Sequence, residues 1–240
     1  MGNIKLICIP YAGGSKHAYR NWSKYLNDSV ELNAVELAGR GRRFLEPGYE
    51  DMNAAVDDVY HIVKPLIQNS DYAIFGHSMG SIIAYELIHR LKGEGLHDPE
   101  HAFFSGRYPP FIKKDDPSFH DAPLEAFIEE LLEMGGTPKV LLENEEFIDT
   151  FVPIIRSDYR IVETYCSPQR DSKYEFDISI LNGNQDKGIE PNDLEMWKSC
   201  TSGKCRIHEF DGGHFFINEQ IEDVTKIIND VLTPEVISCE

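Results

Sequence analysis

Residues 72–91 read YAIFGHSMGSIIAYELIHRL. A strand-like apolar run, Tyr72 to Phe75, ends in Gly76-His77-Ser78-Met79-Gly80, and a helical pattern of apolar residues every three or four positions follows at once. A strand that turns straight into a helix through Gly-x-Ser-x-Gly has the layout of a nucleophile elbow. The small residues have a mechanical reason. The tight turn strains the serine backbone, and Gly76 and Gly80 let the strand and the helix approach closely. The plainer alternative is an ordinary strand-to-helix turn in which Ser78 caps the helix.

Working outward, short segments rich in β-branched and aromatic residues recur at Ile4 to Pro10, Glu31 to Leu37, Tyr72 to His77, His101 to Ser105, Asp177 to Leu181 and Arg206 to Phe210. Helical patterns lie between them at Ala54 to Gln68, Ser81 to Lys92 and Ile221 to Leu232. This alternation predicts an α/β domain, with a mainly parallel central sheet flanked by helices. Residues 109–167 break it. An extended stretch, PPFIKKDDPSF, precedes helical patterns at Leu124 to Met134 and Asn144 to Val162, which suits an amphipathic helical cap inserted into a single domain spanning 1–240. Because the first strand leads directly into the alternation, no opening antiparallel strand pair is expected.

The 240 residues carry 23 Lys and Arg against 41 Asp and Glu, a net charge of −18. That balance excludes nucleic acid and anionic membranes as main partners, since both demand clustered cations. The run from Met1 to Lys5 lacks the parts of an export signal, and no apolar run approaches the length of a membrane span, so a cytoplasmic protein is expected. Cys8, Cys166, Cys200, Cys205 and Cys239 are odd in number and irregularly spaced, which reads as reduced thiols. Cys200 and Cys205 lack a His or second Cys pair at metal-finger spacing, so no metal is expected.

A serine hydroxyl becomes a good nucleophile when a base takes its proton. Among nine histidines, His214 fits best: it follows the last strand in Phe210-Asp211-Gly212-Gly213-His214, a sharp loop before a long helix. His17, in the first loop, is the rival. The imidazole needs a carboxylate to hold its tautomer, and Asp186 lies in the turn Asn182-Gly183-Asn184-Gln185-Asp186 at the carboxyl edge of the sheet. Asp193 and Asp211 compete; the first suits a helix cap and the second lies too near His214 to turn back onto it. Two N–H groups should hold an oxyanion, one from Met79 and one from the loop Pro10-Tyr11-Ala12-Gly13-Gly14, where Ala12 is favoured over Tyr11.

The chain resembles the type II thioesterases, stand-alone editing hydrolases of nonribosomal peptide and polyketide synthesis, which have the α/β-hydrolase fold. The resemblance runs nearly end to end. It rests on Pro10-Tyr11-Ala12-Gly13-Gly14, Gly39-Arg40, Phe75 to Gly80, Phe103-Phe104-Ser105-Gly106-Arg107, Gly135-Gly136-Thr137-Pro138, Arg156-Ser157-Asp158-Tyr159 and Gly212 to Phe216. The Ser-Gly-Arg, Gly-Gly-Thr-Pro and Arg-Ser-Asp-Tyr stretches are more particular to that family than the elbow. Two departures stand out: Ala38 where the family usually has Pro, and Gln185-Asp186 where its acid often sits in an Asp-Asp pair.

The resemblance implies a Ser78, Asp186, His214 triad, a lid over a channel, no cofactor, and substrates tethered to the phosphopantetheine arm of acyl or peptidyl carrier proteins. Arg40, Arg42 and Arg43, or Lys113 and Lys114, are candidates to meet that arm or the carrier surface. Size and the absence of a recognisable interface pattern suggest a monomer. The competing readings are a general carboxylesterase or lipase with the same triad, and a non-catalytic protein that docks on carriers; a dehalogenase or epoxide hydrolase would carry Asp at position 78.

Overall fold

The computed structural model describes residues 3–114, 117–168 and 170–233. Cys239 and the Asp115-Asp116 pair of the extended stretch lie outside the described residues. Six strands, β1 (Ile4–Ile9), β2 (Val30–Ala34), β3 (Tyr72–His77), β4 (His101–Ser105), β5 (Ile178–Gly183) and β6 (Cys205–Phe210), form one sheet in the order β2-β1-β3-β4-β5-β6. Every pairing between them is parallel.

In the central strands neighbouring side chains enter opposite cores, as the two-residue strand period requires. Ile7, Ile9 and Ile74 pack against α1 (Met52–Ile67) and α2 (Met79–Gly93), while Leu6, Cys8, Ala73 and Phe75 meet Tyr19, Trp22 and the apolar face of α8 (Ile221–Leu232). Both faces of the sheet are therefore covered, which is why these strands read as continuous apolar runs.

Several element ends differ from the sequence reading, each for a local reason. Helix α1 begins at Met52, not Ala54, because Asp51 caps it and accepts the Ala54 N–H at 2.8 Å. Helix α2 begins at Met79, not Ser81, because the chain turns into the helix directly after Ser78. Strand β2 stops at Ala34 rather than Leu37. Val35 still donates to the Cys8 carbonyl at 2.9 Å, but the next rung would need an N–H from Pro10, which has none.

Between β4 and β5 the chain forms α3 (Leu124–Met134), α4 (Lys139–Leu142) and α5 (Glu145–Glu163). These pack a small core of their own around Phe127, Leu131, Leu142, Val152 and Ile155. Two short helices, α6 (Pro191–Glu195) and α7 (Phe216–Glu219), follow β5 and β6.

Two buried histidines and one half-buried set an acid limit on stability. His77 titrates well below its usual 6.5 because it is buried and faces His214, and burial brings His89 and His101 down to about 4. The unfolded chain takes up these protons near pH 6.5 and the folded chain does not, so stability present at neutral pH is lost on acidification. Between pH 6.5 and about 4 the free energy of unfolding should fall, with a slope approaching three protons in the lower part of that window. Urea unfolding across that range measures the slope, and His101→Gln should remove about one proton of it.

Candidate active site

Ser78 occupies the turn between β3 and α2 with φ 54° and ψ −116°, the only positive φ outside glycine among the described residues. Holding it there costs on the order of 1–3 kcal/mol, and the surroundings enforce it. A side-chain carbon at Gly76 would overlap the Gly80 carbonyl, and one at Gly80 would overlap the carbonyl of Ile9 on β1. The Ser78 hydroxyl makes no capping hydrogen bond to the helix, which removes the plain-turn reading.

Beneath the turn lies a buried polar network. Ser78 N–H donates to the Ser105 carbonyl (2.8 Å), Ser81 Oγ lies 2.8 Å from the Gly76 carbonyl, and it accepts the Ser105 N–H at 3.0 Å. His77 is fully buried, with Nδ1 2.8 Å from Ser105 Oγ and its ring centroid 5.1 Å from that of His214. With its pKa depressed by burial and by any positive charge on His214, His77 stays neutral and serves as a floor to the site.

His214 and Asp186 arrive from the loops after β6 and β5, 28 residues apart, and meet at 2.6 Å between Nδ1 and Oδ2. Their loops are bound together: Asn184 N–H donates to the Phe210 carbonyl and Gln185 N–H to that of Gly212. Asp186 Oδ1 also accepts the Gly188 N–H at 3.1 Å. With Nδ1 donating to this carboxylate, Nε2 presents a lone pair; it is buried and without a hydrogen-bond partner among the described residues.

The rivals are engaged elsewhere. Asp211 accepts from the Gln185 side chain (2.9 Å), and Asp193 closes a capping box with Glu190 and pairs with Lys114 at 2.5 Å. His17 is exposed on a short 3-10 turn.

Ser78, Asp186 and His214 line one cavity of about 1040 Å³, which also receives the Tyr11–Gly14 loop and the apolar side chains Leu131, Met134, Phe147 and Ile155. In that loop Gly14 N–H donates to the Tyr11 carbonyl (2.8 Å) and Gly13 N–H to Asp158 Oδ2 (2.7 Å). Gly13 and Gly14 are thereby removed as donors to a ligand, and Tyr11 and Ala12 remain, beside Met79 at the start of α2.

The structure narrows the docking candidates in the arginine loop. Arg40 is 4% exposed and forms a two-pronged ion pair with Asp158 of α5, at 2.6 and 2.9 Å. Arg43 is held by Glu46 and Asp58, and Arg42 alone of the three is exposed and unpaired among the described residues. A buried pair of this kind ties the helices of residues 109–167 to the loop under the cavity. Asp158→Ala should cost about 3–5 kcal/mol, because it strands the Arg40 charge and the Gly13 N–H, whereas Asp158→Leu with Arg40→Met should cost less. Urea unfolding of the single and double variants compares the two.

Lys113 and Lys114 also reach the cavity wall, Lys113 exposed and Lys114 paired with Asp193. No group of His, Cys, Asp and Glu among the described residues could hold a metal ion. Among the described residues no helix is long and apolar enough to cross a membrane.

A family model described as thioesterase domain matches residues 4–232. The chain belongs to this thioesterase family. Among its relatives, the gramicidin S biosynthesis protein GrsT of Aneurinibacillus migulanus is 32% identical, over 97% of this chain and 92% of GrsT. The human medium-chain S-acyl fatty acid synthase thioesterase is 36% identical, over 89% of this thioesterase and 81% of the human protein. The crystal structure of ClbQ, from the colibactin NRPS/PKS pathway, superposes with a TM-score of 0.92 at 36% identity, covering 96% of this chain and 97% of ClbQ. The thioesterase thus has the α/β-hydrolase fold expected of it.

Proposed function

We propose that this thioesterase hydrolyses acyl groups from the phosphopantetheine arms of carrier proteins in nonribosomal peptide or polyketide synthesis, releasing stalled or misprimed chains in the cytoplasm. The observation that carries the chemistry is the 2.6 Å His214–Asp186 contact facing the same cavity as Ser78 on its strained turn. The pathway reading is supported by the likeness to GrsT and ClbQ, whose names place those proteins in peptide and peptide–polyketide biosynthesis.

In this reading His214 Nε2 takes the Ser78 proton as Oγ attacks the thioester carbonyl. Asp186 holds the imidazole in the accepting tautomer and stabilises the imidazolium. Met79 N–H, with that of Ala12 or Tyr11, receives the oxyanion. Collapse of the tetrahedral intermediate breaks the carbon–sulfur bond, and the thiol leaves with a proton from His214. A water that gives its proton to His214 then attacks the acyl-serine, and the free acid departs. Residues 109–167 act as the lid, whose apolar side chains accommodate the acyl group and exclude water.

Acid release from an acetyl-loaded carrier, compared with hydrolysis of the matching acetyl oxyester, tests the proposal. Strong preference for the carrier thioester is expected. Efficient oxyester cleavage without carrier turnover would make the protein a general esterase, and carrier binding without turnover would make it a docking protein.

A further inference from the structure

Arg107 follows β4 at the second residue after Ser105, whose carbonyl accepts the Ser78 N–H. It lines the catalytic cavity, with its guanidinium carbon 4.1 Å from the centroid of the Tyr108 ring. Its Nε is buried without a hydrogen bond, and no carboxylate pairs with it among the described residues. Every other arginine that is not exposed has polar partners: Arg40 with Asp158, Arg43 with Glu46 and Asp58, Arg170 with Glu86, and Arg156 with three carbonyls. A buried donor on a charged group is costly when unpaired, so Arg107 stands as a group awaiting a partner.

The neighbouring residues extend the cationic wall. Lys114 approaches the same Tyr108 ring at 4.8 Å, though Asp193 neutralises it, while Lys113 is exposed and unpaired among the described residues. In a chain of net charge −18, Arg107 and Lys113 are thus two cations in the cavity wall without a carboxylate partner among the described residues. Glu130 and Glu163 line the cavity from α3 and α5, together with the apolar side chains there. Burial and the nearby carboxylates raise the Glu130 pKa. That side suits an uncharged acyl tail and repels an acidic one.

We propose that Arg107, assisted by Lys113, forms a subsite in the wall of the catalytic cavity for an oxyanion carried by the substrate, the phosphate of the tethering arm. The planar guanidinium offers the paired donors that phosphate oxygens accept, and the Tyr108 ring holds it in orientation. A carboxylate on the acyl group shares this chemistry, but would lie toward Glu130 and Glu163. The subsite rests on the thioesterase reading for the identity of its ligand, and its test does not require turnover.

Calorimetric titration of Ser78→Ala protein with 4′-phosphopantetheine and with pantetheine measures the phosphate's share directly. Phosphopantetheine should bind more tightly, and adding Arg107→Gln should weaken it by about 10- to 100-fold, the worth of a charge-assisted hydrogen bond, with pantetheine unchanged. In turnover, Arg107→Gln should raise KM for acetyl-phosphopantetheine and spare acetyl-pantetheine. Lys113→Gln, at an exposed position, should show the same selectivity at smaller size and serves if Arg107→Gln fails to fold. Equal losses on both compounds would overturn the subsite, and so would a loss confined to malonyl- over acetyl-pantetheine, which would assign the anion to the acyl group. Discrimination for phosphate in a protein that turns over no thioester would keep the subsite and sink the hydrolase reading instead.

Discussion

Ser78→Ala should reduce acyl release on the order of 10⁴-fold or more while leaving a folded protein. Removing Oγ removes the covalent route altogether, and residual catalysis rests on the oxyanion donors and on binding alone. The fold should survive because alanine at φ 54° carries the same strain as serine, and the hydroxyl makes no capping bond to lose. Acid release from a loaded carrier and labelling by a serine-directed phosphonate should disappear together. A variant within tenfold of the parent would show that another group starts the reaction.

Asp186→Asn should lower kcat by about 10⁴-fold with little change in melting temperature. The carboxylate accepts a hydrogen bond from His214 Nδ1 at 2.6 Å, which leaves Nε2 free to take a proton. An amide in its place can present its NH₂ to Nδ1, which moves the ring proton to Nε2 and disables the base. It also withdraws the negative charge that stabilises the imidazolium. Phosphonate labelling of Ser78 should slow in parallel with kcat. Unchanged kcat would remove Asp186 from the proposed mechanism, since Asp211 and Asp193 are held by Gln185 and by Glu190 and Lys114.

The elbow was legible because it is local. Strand, turn and helix follow one another within twenty residues, and the constraints that select Gly76 and Gly80 act on backbone a few positions away. Asp186 and His214 were also legible, for a topological reason: in a parallel sheet every strand delivers its following loop to the same edge, so residues just past β3, β5 and β6 converge.

The arginines were not legible. Arg40, Arg42, Arg43 and Arg107 look alike as cations in loops, yet one is buried against Asp158, 118 positions away, one is braced by Asp58 and Glu46, one is exposed, and one borders the cavity without a carboxylate partner among the described residues. The Arg-Ser-Asp-Tyr stretch stood out in the sequence without revealing that its aspartate also holds the Gly13 N–H beside the oxyanion donors. The rigid setting of His77 beneath His214 was equally hidden, since its neighbours in the chain do not report burial.

By itself the sequence determined the alternation of strands and helices, the inserted helical segment, the turn that strains Ser78, and the candidates His214 and Asp186, because hydrophobic period and turn chemistry are written over short spans. Only the tertiary structure decided which charges are paired in the interior, which backbone N–H groups remain free, and which cation is left facing the cavity. Those outcomes depend on desolvation and on partners brought together from distant parts of the chain, and sequence separation carries no information about either.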